Sequence, residues 1–148
     1  KMTVEEINNL ESQVFGVGVS PEKENVVKLV DAYVLYAKQN PDDVKSADYL
    51  FRALDMAVGV NAEGPQKAID IADIMIEQYP DFEMTPMAMF LKGFVYENMM
   101  MDYEKALDTY YQFLDKYPNS PLVNDVKSTI ENVGLTPEEL IKKFEENE

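Results

Sequence analysis

Apolar residues recur along this chain at spacings of three and four, and no stretch alternates with the period of two that a half-buried strand requires. The pattern predicts an all-α protein of eight helices. The first starts at Thr3, where Thr3 and Glu6 have the spacing of a capping box, and ends at Gly16-Val17-Gly18. Ser20 is placed to cap a second helix, with Pro21 in its first turn, running to about Gln39. Pro41-Asp42-Asp43 marks the next break, and Ala47, Leu50, Ala53, Leu54 and Ala57 form the apolar stripe of a third helix. A glycine- and proline-bearing loop at 59–65 leads into a fourth helix, from Pro65 to about Gln78. Thr85-Pro86 opens a fifth, Asp102 caps a sixth, and Ser120-Pro121 opens a seventh that Gly134 closes. The last spans 137–147, with Thr136 as N-cap, Pro137 in the first turn, and Glu138 and Glu139 at its positive end.

Three of these helices end alike. Ala106, Tyr110, Phe113 and Pro118 repeat at the same offsets as Ala68, Ala72, Met75 and Pro80, and again as Leu29, Tyr33, Tyr36 and Pro41. The prolines lie 39 and 38 residues apart, and each is followed by Asp or Asn. A helix pair cannot bury its apolar face alone, whereas stacked pairs share a continuous core. Small residues at Ala68 and Ala106 let paired helices approach closely, and the aromatic residues fill the space between successive pairs.

The stretch MFLKGFVYENMMMDYEKALDTYYQFLDKYP, residues 89–118, resembles a unit of the tetratricopeptide repeat (TPR) family. Gly93 and Tyr96 match the glycine and tyrosine of that family's first helix. Asp102-Tyr103 matches its turn, and Ala106, Tyr110 and Pro118 match its second helix. Lys92 stands where the family has Leu, and the turn at Met99–Met101 holds one extra residue. The unit at 49–80 keeps Ala53, Ala68, Ala72 and Pro80 with a longer loop, and the unit ending at Pro41 is degenerate in its first helix. The endings QYPDF and KYPNSP are similar to those of TPR proteins of the bacterial envelope, outer-membrane assembly lipoproteins among them.

The resemblance implies an α–α superhelix of TPR-like pairs with a C-terminal capping helix. It would form a single domain over 1–148, with units near 3–41, 43–80 and 84–118 and terminal helices over 120–148. It also implies a non-catalytic protein-interaction module, in which the first helices of successive pairs line a concave face. Carried over by position, that face comprises Ala47, Leu50, Leu54 and Ala57, then Met87, Phe90, Phe94 and Glu97, with Asp125 and Thr129 from the seventh helix. Leu50, Leu54, Met87, Phe90, Phe94, Glu97 and Asp125 are the candidate partner-binding residues. The opposing reading makes Leu50, Leu54, Phe90 and Phe94 ordinary core. The face has no basic residue, so a clamp for a partner's terminal carboxylate does not fit it.

Charge narrows the partners. Thirteen basic residues against 28 acidic ones give a net charge of −15, which repels a phosphate backbone and favours a protein or peptide partner over nucleic acid. The chain contains no Cys and no His, which removes thiol nucleophiles, imidazole acid–base pairs and the usual zinc sites. Nine methionines offer thioethers for Cu(I), but they read as adaptable packing, and no metal or cofactor is expected. Acidic pairs such as Asp42-Asp43 and Glu145-Glu146 read as solvated charge at helix ends rather than as catalytic carboxylates. An apolar or basic segment of a partner is the expected ligand. The alternative is a structural subunit whose apolar face self-associates or enters a permanent complex. The envelope likeness points to an exported setting, periplasmic or tethered in a membrane-associated complex with its leader removed; a cytoplasmic setting and the oligomeric state stay open.

Overall fold

The computed structural model describes residues 1–147. Among them the chain forms eight helices and no strand: α1 (Val4–Phe15), α2 (Lys23–Gln39), α3 (Val44–Val60), α4 (Pro65–Gln78), α5 (Thr85–Asn98), α6 (Tyr103–Lys116), α7 (Val123–Asn132) and α8 (Pro137–Glu146). The fold is all-α, a TPR-like assembly of helix pairs.

The prolines set the helix ends by a local steric rule. The residue before a proline is pushed out of the α region. Asn40, Tyr79 and Tyr117 accordingly adopt nearly one conformation, with φ of −134, −130 and −125° and ψ of 62, 52 and 57°. Each closes its helix with its own N–H on the carbonyl four residues back. Starts are set by side-chain caps where the right residue is present. Thr3, Asp43, Asp102 and Thr136 each accept a hydrogen bond from a backbone N–H of the first turn.

Two starts differ from the expectation. The second helix opens at Lys23 rather than beside Ser20, because the chain stays extended through Glu22 (φ −85°, ψ 143°) and leaves Ser20 and Pro21 in the linker. The seventh opens at Val123, because Ser120 closes a turn first: its Oγ and its carbonyl accept from the N–H groups of Leu122 and Val123.

The chain divides into two compact units, Lys1–Ala88 and Met89–Glu148. In the first, α1 packs on α2, α2 on α3 and α3 on α4. Its core holds Ile7, Leu29, Tyr33, Leu50, Leu54, Ile69, Ile71 and Met75, all essentially without exposed surface. Ser46 and Thr85 are buried too, and both hydroxyls do the same job. Ser46 Oγ donates to Asn40 O, and Thr85 Oγ1 donates to Tyr79 O at 2.6 Å. Each hydroxyl sits five residues after a repeat-ending proline, where it satisfies a carbonyl that the helix end leaves orphaned.

In the second unit α6 packs on α7, and Val95, Ala106, Tyr110, Phe113 and Val126 are buried. The extra residue of the α5–α6 turn is absorbed by Met101, which takes a left-handed conformation (φ 53°). The N–H of Met100 then reaches Val95 O and that of Asp102 reaches Tyr96 O, closing the carbonyl end of α5. α8 closes the end of α7 through Lys143, whose Nζ donates to Glu131 O at 3.2 Å and Asn132 Oδ1 at 2.9 Å.

Candidate partner-binding surface

The residues singled out by sequence fall into separate classes of burial. Leu50 and Leu54 have no exposed surface, and Ala47 and Ala57 are buried beside them on α3. Leu50 and Leu54 pack within the core of the first unit. Met87 is half-buried in the first turn of α5. Asp125 is exposed near the start of α7, where its carbonyl accepts from Thr129 Oγ1 at 2.8 Å.

Phe90, Phe94 and Glu97 form the group that reaches solvent together. Their spacing of four and three places them on one stripe of α5. Phe90 is half-buried, its ring 5.8 Å from that of Tyr110 in an edge-to-face arrangement. Phe94 is 38% exposed. Glu97 is half-buried and accepts a hydrogen bond from the Tyr110 hydroxyl at 2.9 Å. Burial, then the neighbouring Glu97 carboxylate, pushes the Tyr110 phenol well above its ordinary range, so it stays neutral and keeps donating.

What fixes this stripe is the contact beneath it. A Cβ added at Gly93 would lie 2.2 Å from Tyr110 Cε1, so the tyrosine ring occupies the space that a side chain there would fill. Gly93 is therefore a seat for the ring rather than a hinge. With Tyr110 pinned at both ring and hydroxyl, Glu97 and Phe90 are held in register on α5, and Phe94 projects between them along the same stripe.

Other features of the site chemistry were not visible in the sequence. In the first unit, Tyr33 donates to Glu11 Oε2 at 2.7 Å, and Arg52 Nη1 donates to the same oxygen at 2.8 Å. Arg52 also pairs with Asp48 at 2.9 Å and lies 5.6 Å from the centre of the Tyr49 ring. Burial, then Glu11, raises the Tyr33 phenol as well. Tyr36 donates to Asp43; that bond, then burial, pushes Tyr36 up to about 12, and the same bond, then the Lys45 backbone N–H, holds Asp43 below its ordinary value. The hydroxyls of Ser46 and Thr85 were missed for want of a rule, although their common offset from Pro41 and Pro80 is a readable signal.

No group of three or more acidic residues capable of holding a metal ion occurs among the described residues. No helix among them is long and apolar enough to cross a membrane.

Helices ended at a recurring proline, with Gly93 seating the Tyr110 ring of the following helix, make this a helical-repeat fold. Residues 87–120 match the family model described as tetratricopeptide repeat. That match contains the whole 89–118 unit and the Phe90, Phe94, Glu97, Gly93 and Tyr110 group. Repeats of this kind support a role in protein–protein interaction in general, and the family is generally non-catalytic. No curated protein and no solved structure matches the chain.

Proposed function

We propose that this protein is a non-catalytic interaction module that takes an apolar or basic segment of a partner on the α5 stripe of Phe90, Phe94 and Glu97. The observation that carries this reading is Phe94: a large aromatic residue kept 38% exposed on the helix whose neighbouring positions are fixed by the Gly93–Tyr110 seat. An exposed aromatic side chain beside a carboxylate offers apolar contact and charge selection. Asp125 on α7 adds negative charge to the same unit. Leu50 and Leu54 enter as packing that keeps α3 rigid. By the likeness of its repeat endings, the module belongs in an exported, envelope-associated complex.

A second reading is favoured by α8, where Ile141 and Phe144 are 58% and 63% exposed on one face. There the protein would be a structural subunit that buries this face against a permanent neighbour or a second copy.

A photo-cross-linking residue in place of Phe94 tests the first reading, with one in place of Phe144 beside it. A cross-link from position 94 to another protein is the expected result. A cross-link only from position 144, to a second copy or a fixed neighbour, selects the second reading. No product from either position overturns both.

A further inference from the structure

We propose that the first unit carries its own docking groove, at the open end of the α3–α4 hairpin, for an extended basic segment of a partner protein. The groove has a volume of about 430 Å³, room for a few side chains, and is lined by Pro41, Asp42, Val44, Tyr79, Asp81 and Phe82 among others. It shares no residue with the α5 stripe.

Three features separate this groove from an ordinary solvated turn. Its walls are fixed: Tyr79 donates its hydroxyl to Pro41 O at 2.7 Å, tying one repeat-ending loop to the next. Ser46 and Thr85 anchor the same two loops from beneath. A preformed groove avoids the cost of ordering loops on binding.

Its charge exceeds what the turns require. The third repeat-ending proline is followed by Asn119, so a neutral side chain serves at that turn position, yet Asp42 and Asp81 are both acidic and exposed. Asp43 already caps α3 and accepts from Tyr36, and it stays ionised because those bonds lower its pKa. No Lys or Arg lines the groove. The complement of such a surface is a guanidinium or ammonium group.

Its apolar edge is also beyond what the turn requires. Val44 is 90% exposed, whereas three residues after Pro80 the corresponding position holds Glu83. Val44 and Phe82 in one lining with Asp42 and Asp81 suit a ligand in which apolar and basic side chains alternate. An extended strand presents them on opposite sides.

The test uses a fluorescein-labelled octapeptide alternating arginine and leucine, followed by anisotropy and by amide chemical shifts of the whole chain. The expected result is binding that weakens with salt, with the largest shifts at residues 41–44 and 78–82. Asp42→Asn/Asp81→Asn should weaken it about fivefold, since exposed ion pairs are individually weak, and Val44→Ser should weaken it further. Glu138→Gln/Glu139→Gln removes the same charge elsewhere and should leave binding unchanged. Asp42→Asn/Asp81→Asn should leave any shifts at Phe90 and Phe94 unchanged, which keeps this site distinct from the α5 stripe. Equal weakening by both carboxylate pairs would reduce the effect to diffuse attraction and overturn the proposal. So would the absence of shifts at residues 41–44 and 78–82, or no binding.

Discussion

Tyr33 and Tyr110 occupy the same register in the two units, eight residues before Pro41 and Pro118. Both are fully buried, and both donate to a glutamate on another helix, Glu11 and Glu97. The rings are seated differently. Tyr110 fills the hollow left by the missing side chain of Gly93, while Tyr33 stacks on Tyr49 with ring centres 5.3 Å apart. The carboxylates are also held differently, since Glu11 shares its oxygen between Tyr33 and Arg52. The bond between tyrosine and glutamate thus persists where the glycine motif does not. The first and third repeats share this polar chemistry even though only the third carries the glycine, while the middle repeat has Ala72 at the tyrosine position.

The comparison breaks most sharply at glycine. Gly93→Ala drives a Cβ into the Tyr110 ring and should cost about 2–3 kcal/mol in chemical denaturation, more than the helix propensity gained. Gly59→Ala, in α3 with open space around it, should instead stabilise by up to about 1 kcal/mol. Opposite signs at two helical glycines would establish that one is a seat and the other is not.

The tyrosine hydroxyls should separate the units less strongly. Tyr110→Phe leaves Glu97 without its phenol donor and should cost about 1.5 kcal/mol, while Tyr33→Phe leaves Glu11 its Arg52 and should cost about half as much. Urea titrations of both variants measure the gap; equal costs would mean that Arg52 does not compensate.

The pH dependence sharpens the picture of the first unit. Tyr36 is raised to about 12 from 10.0, so the stability it contributes is complete below pH 10 and is lost as pH climbs through 12. Asp43 is lowered, so its contribution is present above the ordinary carboxylate range and is lost as pH falls through its own depressed value. Tyr36→Phe should flatten part of both limbs in thermal melts followed by circular dichroism. Smallest of all, Met101→Gly should relieve a left-handed backbone and raise stability by about 0.5 kcal/mol.

Much of the fold was legible because its causes are local. Apolar periodicity, the caps at Thr3, Asp102 and Thr136, and the prolines at 41, 80 and 118 each act within a turn of their own position. Ser120 misled because a serine before proline can close a turn as readily as it caps a helix, and Ser20 because the chain stays extended to Glu22. The candidate surface was less legible, because burial depends on what packs above a residue. Leu50 and Phe94 have the same periodicity on their helices, yet one is enclosed and the other open. The Tyr33–Glu11–Arg52 cluster joins residues 22 and 41 positions apart, beyond the reach of any spacing rule.

The most direct measurement is a paired affinity capture from native extract, with Phe94→Ala and Tyr111→Ala as baits beside the unaltered protein. Tyr111 is a comparably large exposed aromatic residue, 55% open on α6, so the two variants remove similar apolar surface from different helices. If the α5 stripe is the working surface, a partner recovered by the unaltered protein is retained by Tyr111→Ala and lost by Phe94→Ala, with both variants melting as the parent does. Equal recovery by Phe94→Ala, or loss only with Tyr111→Ala, would contradict the account.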